Sequence, residues 1–116
     1  MPLTRSVNAT LRERATRDPA FRAALFGDAV QALLAGDPDT AKAALRAYIN
    51  ATVGFEKLGA AAGTPVKSLM RMLGPGGNPT AANLFEVIRV LQKKTRVHLE
   101  IRASAACRWS QRGART

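Results

Sequence analysis

Several residue types are scarce in this sequence, and each shortage argues against a class of protein. Its single cysteine, Cys107, excludes an intramolecular disulfide and fits a reducing, cytoplasmic compartment. Its single histidine, His98, leaves too few Cys and His ligands for a typical zinc site, so we expect no metal. Aromatic residues make up only 5% of the chain, which disfavours a β-sandwich and favours packed helices rich in Ala, Leu and Val.

Long apolar runs and catalytic constellations are also missing. No apolar stretch reaches the roughly 18 residues of a membrane span, and residues 1–10 lack the apolar centre of a secretory signal. The Gly-rich loop at 74–77 is not followed by the Gly-Lys-Ser/Thr of a nucleotide-binding loop. No Ser, Cys, Asp or Glu is placed to support His98 as a general base. We therefore expect no enzyme and no cofactor.

Acidic residues are the last shortage. Lys and Arg number 18 against 8 Asp and Glu, so the net charge is +10, and most of it lies after residue 54. Such a chain is expected to bind a polyanion, and nucleic acid is a stronger candidate than an anionic membrane. The alternative is a solvated surface without a polyanionic partner.

The chain has 116 residues, enough for one domain. Its helix-capping residues predict an all-α fold. Asp18-Pro19 and Asp37-Pro38 each place a strong N-cap residue before a proline suited to the first helical position. Thr64 and Thr80 are further expected caps. The predicted helices cover residues 6–16, 19–35, 38–52, 55–62, 65–73 and 81–94.

The C-terminal part has a different pattern. Apolar and polar residues alternate over 97–101, which predicts a short strand. Val97, Leu99 and Ile101 would pair this strand with its copy in a homodimer, whereas the alternative is a frayed extension packed on its own helices. Residues 103–116 are predicted to be a disordered basic tail. The expected organisation is an N-terminal helical extension (1–53), a second region that includes the strand (54–102), and the tail (103–116). The second region is expected to form one compact unit with the extension.

Two short predicted helices with a glycine between them suggest a helix-turn-helix. Gly63 permits a positive φ in the turn, and the small residues Gly59, Ala60 and Ala62 would let the helices approach closely. A buried seam is expected from Leu58, Leu69 and Leu73.

The second of these helices would then present a free face to the DNA major groove. Lys67 and Arg71 could donate to guanine, and Val66 and Met70 could contact a thymine methyl group. Thr64 and Ser68 could donate to phosphate. A plain helical hairpin without DNA binding is the alternative.

These residues resemble a known family. Leu58, Gly63, Leu69, Arg71, Asn78-Pro79-Thr80, Leu84 and Leu91 are similar to the XRE-type (Cro and phage-repressor) helix-turn-helix domain, over about residues 54–94. The string from Tyr48 to Glu56, followed by that from Lys67 to Pro75, resembles HigA-like antitoxins. With Asp18-Pro19-Ala20-Phe21 included, the resemblance covers about residues 3–102.

The resemblance implies a dimeric repressor that binds double-stranded DNA at its own operon and neutralises a RelE/HigB-type ribonuclease toxin. It places Val66, Lys67, Met70 and Arg71 at base-facing positions. Where many XRE domains have a phosphate-contacting Thr-Gln, this chain has Gly54-Phe55, and we expect Phe55 to anchor the core instead. The alternatives are a repressor without a toxin partner and a basic helical module that binds an acidic protein.

Overall fold

The computed structural model describes the backbone of residues 2–103 and residue 105, with side chains described from residue 9 onward. Within these residues the chain forms six α-helices and no β-strand. None of these helices combines the length and the apolar character needed to cross a membrane. The helices are α1 (Pro2–Arg17), α2 (Pro19–Leu34), α3 (Pro38–Ala51), α4 (Phe55–Ala62), α5 (Val66–Met72) and α6 (Ala81–Thr95).

The helix starts follow local capping chemistry, as predicted. Asp18 Oδ1 accepts hydrogen bonds from the N–H groups of Ala20 and Phe21, at 3.1 and 3.3 Å. Asp37 Oδ1 accepts from the N–H of Thr40 at 3.3 Å, and hydrogen bonding from the Thr40 side chain, then from this N–H, lowers the pKa of Asp37. Thr80 caps α6 in the same way. These side chains satisfy N–H groups that have no partner within the helix.

The expected cap of α5 is wrong. The N-cap residue is Pro65, not Thr64, and no side chain caps this helix. The hydroxyl of Thr64 donates instead to the Ala62 carbonyl, at 3.5 Å. The difference arises because Pro65 adopts an extended conformation, with ψ of 144°, and so precedes the helix rather than opening it.

A single buried cluster joins α2, α3, α4, α5 and α6, and Tyr48 of α3 lies in it. Its ring stacks on Phe26 of α2, with the ring centroids 4.6 Å apart. Its hydroxyl donates to Thr95 Oγ1 of α6 at 2.8 Å, and Thr95 donates in turn to the Leu91 carbonyl. Phe55 is buried in the same cluster, as expected of a core anchor. Tyr48 therefore ties the N-terminal helices to α6.

Burial of Tyr48 predicts a loss of stability in alkali. Desolvation raises the pKa of its phenol above the ordinary value, so the folded state holds its proton to higher pH than the unfolded state does. The free energy of unfolding should therefore fall as the pH rises above about 10. Thermal melts of wild type and Tyr48→Phe between neutral pH and pH of about 11 would measure this, and the variant should lose part of the decline.

Because the chain has one tyrosine, ultraviolet absorbance of tyrosinate reports directly on Tyr48 and checks its titration. At neutral pH the variant should be about 0.5–1.5 kcal/mol less stable, because one buried hydrogen bond is lost. Identical pH dependence in both proteins would contradict the raised pKa.

The segment after α6 does not form the predicted strand in this single chain. Residues 97–101 have no regular secondary structure, since no neighbouring strand in the described chain offers a ladder of hydrogen bonds. Val97 is only 7% exposed and belongs to the chain's own core. Leu99 is half-buried, and its N–H donates to Gln92 Oε1 at 3.0 Å. Ile101 is exposed. Most of the predicted tail, including Cys107, lies outside the described residues.

Candidate nucleic-acid interface

The turn between α4 and α5 has the backbone geometry expected of a tight helix–turn–helix connection. Gly63 ends α4 in the left-handed conformation, with φ of 69°, as predicted. Its N–H and that of Thr64 donate to the Gly59 carbonyl. An L side chain at Gly63 would be strained in this conformation. The glycine therefore sets the angle at which α5 leaves α4.

Close approach of the two helices depends on Gly59. A β-carbon added there would lie 2.7 Å from the carbonyl oxygen of Thr64 and would also meet Val66 and Leu69. The prediction that small residues allow this approach is therefore confirmed at Gly59. Ala60 is exposed and does not contribute to the seam. The predicted seam residues Leu58, Leu69 and Leu73 are all fully buried.

The outer face of α5 carries four of the predicted DNA-contacting residues. Lys67, Ser68, Met70 and Arg71 are all exposed, whereas Leu69 of the same helix is fully buried. Met70 is 51% exposed, so its apolar side chain is accessible from outside the protein. Two cations and one methionine are thus available on one short helix.

The other two predicted residues lie in the packing between helices. Val66 is half-buried and packs against the core, and a β-carbon on Gly59 would meet its Cγ2. Thr64 is half-buried in the turn. The structure therefore leaves Lys67, Met70 and Arg71 accessible together with Ser68, and it places Val66 at the edge of this set.

Sequence reasoning missed the anchor that holds the loop after α5. Lys42 of α3 is only 7% exposed, and its Nζ donates to the Gly77 carbonyl at 2.6 Å. Arg46, one turn further along α3, donates to the Leu73 carbonyl at the end of α5. The i, i+4 spacing of these cations was the available signal. Together they attach the exit of α5 to α3 and so position the candidate interface.

Among the described residues, no candidate metal centre competes with this surface. In the part of the chain that the structure describes, no three His, Cys, Asp or Glu residues could jointly hold a metal ion. Comparison with family models, curated proteins and solved structures found no match for this chain.

Proposed function

We propose that the protein is a sequence-specific DNA-binding repressor that reads the major groove with α5. The observation that carries the proposal is the exposure of Lys67, Met70 and Arg71 on a helix whose opposite side is locked into the core by Leu69. A rigid helix with free cationic and apolar side chains suits the major groove, which admits an α-helix. The proposed activity is binding, without catalysis or a cofactor.

Each exposed residue of α5 has a role in this proposal. The Arg71 guanidinium can donate two hydrogen bonds to guanine O6 and N7, and the Lys67 ammonium can donate to guanine or to phosphate. Met70 can contact a thymine methyl group, with Val66 at the edge of this contact. The hydroxyl of Ser68 can donate to a backbone phosphate, and Thr64 lies in the adjoining turn.

A homodimer would double this interface. The proposed contact is pairing of residues 97–101 with the same segment of a second copy, which would give each backbone the partner strand that it lacks here. Ile101 is 71% exposed and Leu99 half-buried, so both can contribute, whereas Val97 would stay in its own core. Two copies of α5 would then lie about one turn of DNA apart.

We further propose an antitoxin role, on the resemblance to HigA-like antitoxins. In this proposal the two N-terminal helices that begin at an Asp-Pro pair, α2 and α3, face a RelE/HigB-type ribonuclease toxin while α5 faces the operator. The test is co-expression with the small toxin-like reading frame next to the gene. Rescue of growth and co-purification would support the antitoxin role, and absence of such a frame would favour a repressor without a toxin.

The test of DNA binding is fluorescence anisotropy with a duplex from upstream of the gene and a scrambled duplex, at two salt concentrations. We expect a preference of about 10³ or more for the gene's own duplex. Equal, steeply salt-dependent binding to both would mean that the charge acts without sequence readout. No binding to either would favour the protein-interaction module.

Replacing Arg71 by alanine should weaken operator binding by about 1–3 kcal/mol and relax the preference at one base pair, because a bidentate contact is lost. Arg17→Ala is the matched control, since Arg17 is an exposed arginine on α1 that pairs with Glu13. It removes the same charge far along the chain from α5 and should leave the base preference unchanged. The same anisotropy assay on single-base operator variants measures both. Equal effects of the two substitutions would remove Arg71 from the proposed readout.

A further inference from the structure

A cavity of about 450 Å³ lies away from the outer face of α5, where the C-terminal ends of α1, α3 and α6 meet the first turns of α2 and α4. Its charged lining consists of four cations, Arg22, Lys57, Lys94 and Arg96, and it contains no carboxylate. The volume falls within the range of roughly 300–1,000 Å³ typical of small-molecule sites. The cavity is therefore large enough for a small ligand and strongly biased in charge.

Nothing in the described chain neutralises these cations. All eight acidic residues lie within the described part, and none of them lines the cavity. The carboxylates of Glu13, Asp39 and Glu86 pair with basic residues elsewhere. Lys57, Lys94 and Arg96 form no ion pair with a described residue. The positive charge of the cavity is thus available to a ligand.

The helix ends around the cavity do not cancel this charge. Each of the three C-termini carries roughly −0.5 of an elementary charge, and the N-termini of α2 and α4 each carry about +0.5. Together these partial charges offset about half of one of the four full positive charges. At the N-terminus of α4 the N-cap residue, Gly54, has no side chain that could accept from the first-turn N–H groups. An anion in the cavity would therefore meet both cations and unpaired donors.

The side chain of Arg22 has one more buried hydrogen-bond donor than the described residues can pair. Its Nη1 donates to the carbonyls of Ala15 and Thr16, at 2.7 and 3.3 Å, and so caps the end of α1. Its Nε is buried and has no acceptor among the described residues. Buried donors in proteins are nearly always paired, so this atom indicates a site where an acceptor oxygen would be favourable.

From these observations we propose that the cavity binds a phosphate group, carried by a small phosphorylated anion. The hydroxyls of Thr16, Thr52 and Thr95 already donate to carbonyls within their own helices. Recognition would therefore depend on the ammonium and guanidinium groups, which form the strongest hydrogen bonds to phosphate oxygens. The site is independent of the proposed DNA readout by α5.

The test is isothermal titration of pyrophosphate into the full-length protein at constant ionic strength. The variant Lys57→Gln/Lys94→Gln removes two lining cations, both of which are exposed side chains outside the core. The matched control, Lys93→Gln/Arg102→Gln, removes two exposed cations that do not line the cavity. Thermal melts followed by circular dichroism confirm that each protein is folded.

We expect saturable binding to the wild type, at least about tenfold weaker binding to the cavity variant and a change within about twofold for the control. Absence of saturable binding, or equal losses in the two variants, would overturn the proposal. Repeating the DNA titration identifies the source of the phosphate. If the cavity variant binds the duplex as the wild type does, the phosphate belongs to a free ligand. If the variant lowers the salt dependence and pyrophosphate competes with DNA, it belongs to the duplex backbone.

Discussion

Replacing Leu69 by alanine is expected to lower the free energy of unfolding by about 2–5 kcal/mol. Leu69 is fully buried, where it belongs to the same cluster as Leu58 of α4 and Leu73. The substitution removes apolar atoms from a close-packed interior and leaves a cavity that the surrounding helices can fill only in part. Urea denaturation followed by circular dichroism measures the loss.

The neighbouring residue provides the matched control. Met70 is 51% exposed on the same helix, so Met70→Ala should change stability by no more than about 0.5–1 kcal/mol. Equal losses from the two substitutions would mean that α5 does not bury Leu69 in preference to Met70. The face assigned to DNA would then also be wrong, because it depends on this orientation.

The second large effect is expected at Gly77, where alanine should lower the free energy of unfolding by about 2–3 kcal/mol. A β-carbon at this position would overlap the carbonyl oxygens of Arg71 and Met72. Both oxygens belong to backbone, which cannot move aside as the end of a flexible side chain can. The loop would have to shift, and the hydrogen bond from Lys42 to the Gly77 carbonyl would be disturbed as well.

Gly76 is the control for this prediction. A β-carbon added to Gly76 meets nothing within 4 Å, and its φ is not positive, so Gly76→Ala should be nearly neutral. Urea denaturation of both variants makes the comparison. Similar stabilities would contradict the close approach of the loop to the end of α5. In the DNA assay, Gly77→Ala should also weaken operator binding, because the loop follows directly after α5.

Most helix boundaries could be predicted well because they depend on neighbouring residues, although α1 begins at Pro2 and not at the predicted residue 6. An aspartate before a proline supplies both a cap acceptor and the φ of the first helical residue, so α2 and α3 begin where expected. Gly63 adopts the predicted positive φ for an equally local reason. The predicted cap of α5 is wrong because Pro65 is itself extended and precedes the helix.

The partners of the polar side chains could not be predicted in the same way. Lysine is a charged residue that usually lies on the solvated surface. Lys42 is nevertheless buried against a loop that lies 35 residues further along the chain. The alternation of its neighbours predicts a strand at Val97, yet Val97 belongs to the core. Both outcomes depend on which elements lie alongside, and a local pattern does not specify this.

By itself, then, the sequence determined the all-α class, the helix starts at Asp18, Asp37 and Thr80, and the surplus of positive charge. Capping, backbone preference and composition act within a few residues, so they can be evaluated without a fold. Only the tertiary structure decided that Met70 is exposed while Leu69 is buried, and that four cations from different parts of the chain line one cavity. Burial and electrostatic clustering arise from contacts between distant segments, and these exist only once the helices have packed.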